Sequence, residues 1–235
     1  MRGCSGIFLK SWENLPEYMQ NDIVKSYYNS LDSRKFSIAI KRAFDFVISL
    51  ILILVLLPIF LVISLIIILD SPGVPFFCQT RVTRYGRKFK IIKFRTMVKN
   101  AEKLGPQVTT KLDSRVTKVG KYLRKFRIDE LPQIFNIFYG DLSFVGVRPE
   151  VPKYVEKYSP EMYATLLLPA GVTSATSIIY KNESELLENA ENPDEAYIEK
   201  ILPKKMEYNL EYIRNFNFFD DIKIMFKTLI AVLNK

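Results

Sequence analysis

The sequence predicts an α+β protein: a mostly helical cytosolic domain with a small β-hairpin, anchored by one proline-broken, re-entrant membrane helix. Three observations predict this class. Residues 47–69 form an uncharged run of 23 residues with Pro58 at its centre. Two segments with alternating apolar residues follow around a polar turn, which is typical of a hairpin. Most of the remaining chain carries apolar residues at helical spacing.

The apolar run is long enough to cross a bilayer. As an α-helix it would extend about 34 Å, against a hydrocarbon core of about 30 Å. A buried helix of a soluble protein is the alternative, but such helices rarely continue past about 18 apolar residues without a charge. Residues 41–70 are therefore interpreted as the membrane segment. An N-terminal amphipathic extension, 1–40, precedes it, and a cytosolic domain, 71–235, follows.

The charges beside the run do not orient a spanning helix. Lys41 and Arg42 precede it and further basic residues follow from residue 81, so both flanks resemble cytoplasmic loops. Pro58 lacks an amide hydrogen, so the helix is expected to kink or break there. Two arms that enter and leave by one face are favoured, and a straight span with a tolerated kink is the alternative. Lys41 and Arg42 are expected at the point of membrane entry, with their cationic heads at the lipid phosphates.

The other predicted elements follow from local patterns. The last helix carries an apolar stripe from Ile222 to Leu233, which is interpreted as core in preference to membrane-facing. A short amphipathic helix near residues 23–31 either lies in the membrane interface or packs on the domain. Strands are expected over 75–80 and 89–97, and helices over 119–126, 130–138, most of 183–213, and 220–233.

The net charge of +9 is unevenly distributed. Residues 70–149 contain 17 basic and 6 acidic residues, directly after the membrane run. Such a block attracts anionic phospholipid at about 1 kcal/mol per basic residue near the surface, and it also suits a phosphate-rich ligand. A nucleic-acid partner is disfavoured because no recognition motif accompanies the charge. The chain has no histidine, so chemistry near neutral pH must use carboxylates, lysine, cysteine, serine or tyrosine.

Asp129 and Glu130 form the one adjacent carboxylate pair in the basic block. In the simpler interpretation, Asp129 caps a helix, and the positive N-terminal end of the helix dipole stabilises the Glu130 carboxylate. In the chemical interpretation, nearby cations and the helix dipole keep Asp129 ionised. It could then act as a nucleophile toward phosphorus or as a ligand for magnesium.

Five further residues are candidates for binding phosphate. Lys93 and Arg95 are expected on one strand face, and Arg127 adjoins the carboxylate pair. Arg148 follows a loop with two glycines that also contains Asp141. An arginine fork suits phosphate, and glycines allow close backbone approach. Each feature alone is equally typical of a solubilising charge or a structural turn.

Taken together, these segments resemble the bacterial sugar transferases, which are polyprenyl-phosphate phosphoglycosyl transferases of the monotopic type. The resemblance covers about residues 41–233, and five elements in family order make it specific. They are Lys41-Arg42-Ala43-Phe44-Asp45, the apolar run with its proline, Lys93-Phe94-Arg95-Thr96-Met97, Asp129-Glu130-Leu131-Pro132-Gln133, and residues 140–146 followed by Arg148-Pro149.

The resemblance implies transfer of a sugar phosphate from a UDP-sugar to a polyprenyl (undecaprenyl) phosphate with release of UMP, the first membrane step of cell-surface glycan synthesis. It implies that Asp129 forms a covalent aspartyl phosphosugar, that Glu130 assists, and that Mg²⁺ neutralises the diphosphate. It also implies a bacterial inner membrane location with the catalytic domain on the cytoplasmic face. A non-catalytic membrane-surface scaffold that binds anionic lipid is the alternative, and a homo-oligomer is left open.

The chain departs from the family pattern at several positions. Leu57 precedes Pro58 where the family often has serine, and residues 168–174 lack the arginine of the downstream family motif. Val147 and Asn209 stand where the family commonly has proline and aspartate. Because these positions are expected near the sugar or uridine, the sequence does not identify the sugar.

Overall fold

The computed structural model describes residues 8–99, 101, 113–180 and 192–233, which are mostly helical. The helices are α1 (Asp22–Asp32), α2 (Lys35–Asp70), α3 (Lys118–Lys125), α4 (Gln133–Tyr139), α5 (Pro152–Val155), α6 (Ala175–Ile179), α7 (Pro193–Ala196), α8 (Leu202–Arg214) and α9 (Phe218–Leu233). The strands are β1 (Phe76–Val82), β2 (Lys88–Phe94), β3 (Leu142–Val145) and β4 (Ala170–Thr173). Single 3-10 turns lie at Trp12–Asn14, Glu17–Met19, Arg84–Gly86, Ile128–Glu130 and Met162–Leu166, and a π-helical turn, Tyr197–Ile201, leads into α8.

The strands form two separate pairs. β1 and β2 pair antiparallel, which confirms the predicted hairpin. β3 and β4 pair in parallel, whereas the sequence predicts a loop over residues 140–149, so that prediction was wrong for Leu142–Val145. The partner strand is distant in sequence and each strand has only four residues, so no local pattern revealed the pair. A Cβ on Gly171 would lie 2.1 Å from the amide nitrogen of Gly146, so the close approach of these strands requires glycine.

The predicted apolar helix is confirmed as α2. Its backbone forms one helix, Lys35–Asp70, with Pro58 inside it, and the break at the proline and the re-entrant course stay predictions. Among the described residues, α2 is the one helix long and apolar enough to cross a membrane. Within residues 47–69, Phe60 and Ile67 are the only fully buried apolar side chains. This exposure does not fit a helix in the core of a soluble protein.

The segment before the apolar run joins α2 to the domain. Lys41 Nζ lies 2.5 Å from Asp221 Oδ2, and both side chains are buried. The Arg42 guanidinium donates to the carbonyls of Ile137 and Phe138 at 2.8 and 2.9 Å, where it satisfies the C-terminal end of α4. Both cationic heads therefore bind protein groups, where the sequence predicts contact with lipid phosphates. The sequence showed no link between Lys41 and the distant carboxylate of α9.

The N-terminal helix α1 packs on the domain, which decides between the two alternatives. Val24, Tyr27 and Leu31 are buried in the largest hydrophobic cluster, together with Ile213 of α8. The Tyr27 hydroxyl also donates to Glu161 Oε1 at 2.6 Å. Residues 8–34 therefore contribute to the same core as the C-terminal part of the domain.

The terminal helix α9 confirms the predicted helix, but its apolar stripe is not core. Phe226, Leu229 and Ile230 are exposed, and Ile222 and Met225 are only half-buried. The core interpretation was therefore wrong. Within the described chain, α9 contacts α2, α6, β3 and β4, and these neighbours leave its outer side uncovered.

Candidate active site

Asp129 lies in the 3-10 turn before α4 and does not cap that helix. The residue at the N-cap of α4 is Pro132, and no side chain caps the helix. Asp129 is 8% exposed, and its Oδ1 has no hydrogen-bond partner among the described residues. The helix-cap interpretation was therefore wrong. A buried polar atom without a partner costs about 1–3 kcal/mol, so this oxygen points to a role other than stability.

Glu130 binds two cations at once. Its Oε1 accepts from Lys93 Nζ and from Arg148 Nη2, each at 2.7 Å. Lys93 belongs to β2 and Arg148 follows β3, so this carboxylate joins the two sheets. Burial raises the pKa of Glu130, but Arg148 and Lys93 outweigh burial and hold that pKa well below its usual range. Glu130 is therefore ionised at neutral pH and has no proton to donate.

The pKa of Asp129 shifts in the opposite direction. Burial raises it most, and the neighbouring carboxylate of Glu130 raises it further. Lys93, Arg124 and Arg127 lower the pKa without compensating for these two effects. The sequence predicts that cations stabilise the ionised form, but it cannot show how much water the carboxylate loses. The result is a poorly solvated carboxylate next to several fixed cations.

Backbone geometry holds two arginines near Asp129. Arg127 has a φ of 57°, a left-handed conformation that costs a non-glycine residue about 1–3 kcal/mol and is concentrated at active sites. Arg124 of α3 donates to Thr96 Oγ1 at 2.8 Å. A Cβ on Gly120 would lie 2.1 Å from the carbonyl oxygen of Thr96, so glycine allows α3 to approach this closely.

Arg95 does not share the position of Lys93. β2 ends at Phe94, so the alternation that predicts one shared face stops before Arg95. The Arg95 guanidinium donates instead to the carbonyls of Ser71 and Pro72, directly after α2. In this structure Arg95 therefore fixes the C-terminal end of α2 to the hairpin.

Asp141 also lies apart from the carboxylate pair. It follows α4, whereas Glu130 precedes it, and a helix of seven residues spans about 10 Å. Asp141 forms an ion pair with Arg87 at 2.8 Å, and its carbonyl accepts from Thr83 Oγ1 at 2.7 Å. Gly140 ends α4 in the left-handed conformation and turns the chain toward the hairpin. The structure thus places Lys93, Arg127 and Arg148 near the pair, and Arg95 and Asp141 elsewhere.

A cavity of about 500 Å³ adjoins Glu130. This volume lies within the range of about 300–1,000 Å³ typical of ligand sites. Arg127, Glu130 and Arg148 line the cavity together with apolar side chains of α2, α4 and α9. Lys205 and Tyr180, which the sequence did not single out, line it as well.

Lys205 reaches the cavity from a buried polar cluster. Its Nζ donates to the Tyr197 hydroxyl at 2.9 Å and lies 3.6 Å from Glu150 Oε1. The Tyr197 hydroxyl in turn donates to Glu150 at 2.5 Å. Tyr197 opens the π-helical turn, a feature that is frequent at functional sites. The partners are distant in sequence, so no local motif signals the cluster.

The chain is similar in sequence to known proteins. Residues 36–235 match the family described as bacterial sugar transferase. The chain is 37% identical over 198 residues to the UDP-N-acetylgalactosamine-undecaprenyl-phosphate N-acetylgalactosaminephosphotransferase of Aeromonas hydrophila, covering 83% of this chain and 44% of that protein. It is 36% identical over 195 residues to the UDP-glucose:undecaprenyl-phosphate glucose-1-phosphate transferase of Escherichia coli, covering 80% and 39% respectively.

A third relative is similar in length to this chain. The exopolysaccharide production protein ExoY of Sinorhizobium fredii is 31% identical over 207 residues, which cover 82% of this chain and 84% of that protein. The chain therefore spans less than half the length of the first two relatives and most of the third. The first two names share undecaprenyl phosphate and differ in the sugar.

Proposed function

The chain belongs to the bacterial sugar transferase family, and on that premise we propose that it transfers a sugar phosphate from a UDP-sugar to undecaprenyl phosphate with release of UMP. The observation that carries the proposal is the buried carboxylate of Asp129, whose Oδ1 has no hydrogen-bond partner among the described residues, beside Glu130, which holds two cations. The acceptor is proposed from the names of two relatives, which differ in the sugar and so leave the sugar of this chain open.

In the first step, a carboxylate oxygen of Asp129 attacks the sugar-bearing β-phosphorus of the donor. The new O–P bond forms as the bond from this phosphorus to the bridging oxygen breaks, and the electron pair leaves on UMP. Lys93 and Arg148 stabilise the diphosphate charge as it redistributes. Glu130 is a positioning residue in this scheme, because it holds both cations and has no proton to give.

In the second step, a phosphate oxygen of the lipid attacks the same phosphorus. The O–P bond to Asp129 breaks, its electron pair returns to the carboxylate, and the lipid leaves as a polyprenyl diphosphosugar. Both substrates are anionic, so their approach requires a local excess of positive charge. Lys93, Arg124, Arg127 and Arg148 act on the two carboxylates and supply that excess.

Asp129 is the residue that we expect to hold Mg²⁺. The described residues contain no group of three or more histidine, cysteine or acidic side chains placed to bind a metal. Mg²⁺ commonly binds through one or two carboxylates together with substrate phosphates, and Asp129 Oδ1 is an oxygen donor without another partner in the described chain. When bound, Mg²⁺ would neutralise charge on the diphosphate.

We place the domain on the cytoplasmic face of the bacterial inner membrane, with α2 entering and leaving by that face. The support is that α2 contacts the same domain near both ends. Phe44 packs on Phe144 with ring centroids 6.3 Å apart, and Asp70 Oδ2 accepts from the Val119 amide at 3.2 Å. A helix that crossed a core of about 30 Å would place its ends on opposite sides.

Cysteine labelling tests this topology. In a background with Cys4 and Cys78 replaced by serine, we expect Ser33→Cys and Val74→Cys to react with a membrane-impermeant thiol reagent in inside-out vesicles. Neither should react in intact spheroplasts, because both positions would face the cytoplasm. Labelling of one position from each side would show a full span and contradict the re-entrant arrangement.

The raised pKa of Asp129 predicts the pH below which the first step slows on acidification. An unperturbed aspartate titrates near pH 3.9. Because the folded-state pKa is higher, kcat/KM for UMP release should fall at a higher pH on acidification and recover as the pH rises. Arg124 lowers this pKa, so Arg124→Met should move the acid limb to still higher pH. If the acid limb of the kcat/KM profile lies at the ordinary aspartate pKa and Arg124→Met does not move it, the assignment of Asp129 as the nucleophile is contradicted.

The function is tested by measuring UMP release by the purified chain from a panel of UDP-sugars, with undecaprenyl phosphate and Mg²⁺. We expect multiple turnovers with at least one donor, and only when the acceptor is present. Binding to anionic vesicles without UMP release from any donor would favour the alternative, a non-catalytic membrane-surface scaffold.

A further inference from the structure

We propose that the cavity between α2 and α9 is a groove that holds the first isoprenoid units of the acceptor lipid and directs its phosphate toward Arg148. This inference rests on the proposed function, because it assigns a place to the acceptor of that reaction. Three observations carry it: how α2 and α9 are joined, which residues of these two helices line the cavity, and that its lining combines apolar side chains with two arginines.

A buried joint connects α2 and α9 at one end. It consists of the Lys41–Asp221 ion pair at 2.5 Å and the rings of Phe44 and Phe218, whose centroids lie 5.4 Å apart. The Tyr212 hydroxyl also donates to Asp221 Oδ1 at 2.9 Å. These contacts fix the spacing of the two helices at their start.

The residues of α2 and α9 that line the cavity lie further along both helices. Leu52 and Leu56 from α2 line it, as do Thr228 and Ala231 from α9. These positions follow the joint by 7 to 15 residues, which is about 10–22 Å along a helix. The hydroxyls of Thr228 and Thr173 lie 2.8 Å apart, so β4 holds α9 in place beside the cavity. Both helices therefore contribute side chains to the wall of one groove.

The walls of the groove suit a hydrocarbon chain. Ile134, Ile137 and Phe144 are among the further apolar residues of the lining. The α2 side chains that line the groove alternate with Leu54 and Val55, which are exposed on the apolar surface of the helix. The groove is thus continuous with the surface that would contact lipid, and an isoprenoid chain could enter it without crossing water.

Two arginines in the lining suit a phosphate. Arg127 and Arg148 line the same groove, and Arg148 is oriented by its bond to Glu130. An arginine fork binds phosphate oxygens well. A ligand with an alkyl body and an anionic head matches both the apolar side chains and the arginines of this lining. A nucleotide sugar, which is polar throughout, leaves the apolar side chains of α2, α4 and α9 without an apolar partner.

Two tryptophan substitutions on α9 test the groove. Ala231 lines the groove, so Ala231→Trp would fill part of it. Leu229→Trp places the same side chain on the outer side of α9, where Leu229 is 59% exposed. The measurement is the KM for geranyl, farnesyl and undecaprenyl phosphate, together with UMP release in the absence of acceptor. In the wild type we expect KM to fall as the chain lengthens. Ala231→Trp should raise the KM for undecaprenyl phosphate about tenfold and flatten the length dependence, and Leu229→Trp should not.

The possible outcomes separate the groove from the reaction. Equal acceptor KM values in both variants and the wild type, with transfer intact, would overturn the groove and leave the proposed function standing. No transfer by the wild type to any acceptor would overturn the proposed function itself. If Ala231→Trp does not fold, as judged by thermal unfolding, Ala231→Leu compared with Ile230→Leu makes the same test.

Discussion

Asp129→Asn is expected to lower sugar-phosphate transfer by at least about 10⁴-fold, because the amide cannot supply the anionic oxygen that attacks phosphorus. The protein should remain folded and bound to membranes, because Asp129 caps no helix and its Oδ1 makes no hydrogen bond in the described chain. The measurement is UMP release and polyprenyl diphosphosugar formation in the same detergent preparation. Asp220→Asn is the matched control, since Asp220 is a half-exposed residue of α9 paired with Lys223.

The stability of this variant has a predicted sign. The folded-state pKa of Asp129 is raised, so its ionised form lowers stability above that pKa, and this cost vanishes below the unfolded-state pKa. Removing the charge should leave the Tm at neutral pH equal to or above that of the wild type. A large loss of Tm together with the loss of activity would indicate a structural role, and a near wild-type rate would exclude Asp129 as the nucleophile.

Glu130→Gln is expected to lower kcat/KM about 10²–10³-fold, because Lys93 and Arg148 lose the carboxylate that positions them toward the diphosphate. It should also lower the free energy of unfolding at neutral pH by about 1–3 kcal/mol, less than for a fully buried pair because Arg148 is partly exposed. The pKa of Glu130 is depressed in the folded state, so its stabilisation is present above the unfolded-state value and lost on acidification through the folded-state value. The stability difference between variant and wild type should therefore shrink at low pH.

A double-mutant cycle separates positioning from simple destabilisation. If Glu130 acts through Arg148, Arg148→Met and the double variant with Glu130→Gln should lose similar activity, so the two effects are not additive. We expect the loss to include a higher KM for the UDP-sugar. Additive losses with an unchanged donor KM would argue that Glu130 only stabilises the fold.

The elements that sequence could predict are those with a local pattern. The apolar helix α2, the hairpin of β1 and β2, and helix α9 each carry their periodicity within one segment. The parallel pair of β3 and β4 could not be predicted, because its evidence is a contact between Gly146 and Gly171 that only the folded chain creates. The burial of α9 was mispredicted for a related reason. An apolar stripe does not reveal which surface, if any, covers it.

The same distinction applies to the candidate site. Asp129 and Glu130 could be selected from residue type, the surrounding charge and the family resemblance. The direction of the Asp129 pKa shift could not be predicted, because it depends on burial and not on sequence neighbours. Arg95 was misplaced because the end of a strand decides where alternation stops. Lys205 was missed because its partner Glu150 is distant in sequence.

The covalent step is tested by mass spectrometry of the purified protein after incubation with a UDP-sugar and Mg²⁺ and without polyprenyl phosphate. We predict a single phosphosugar on the peptide that contains Asp129, in amounts equal to the UMP released, and its loss when polyprenyl phosphate is added. If a preparation that transfers sugar phosphate with both substrates present never carries this label on Asp129, the two-step scheme is contradicted.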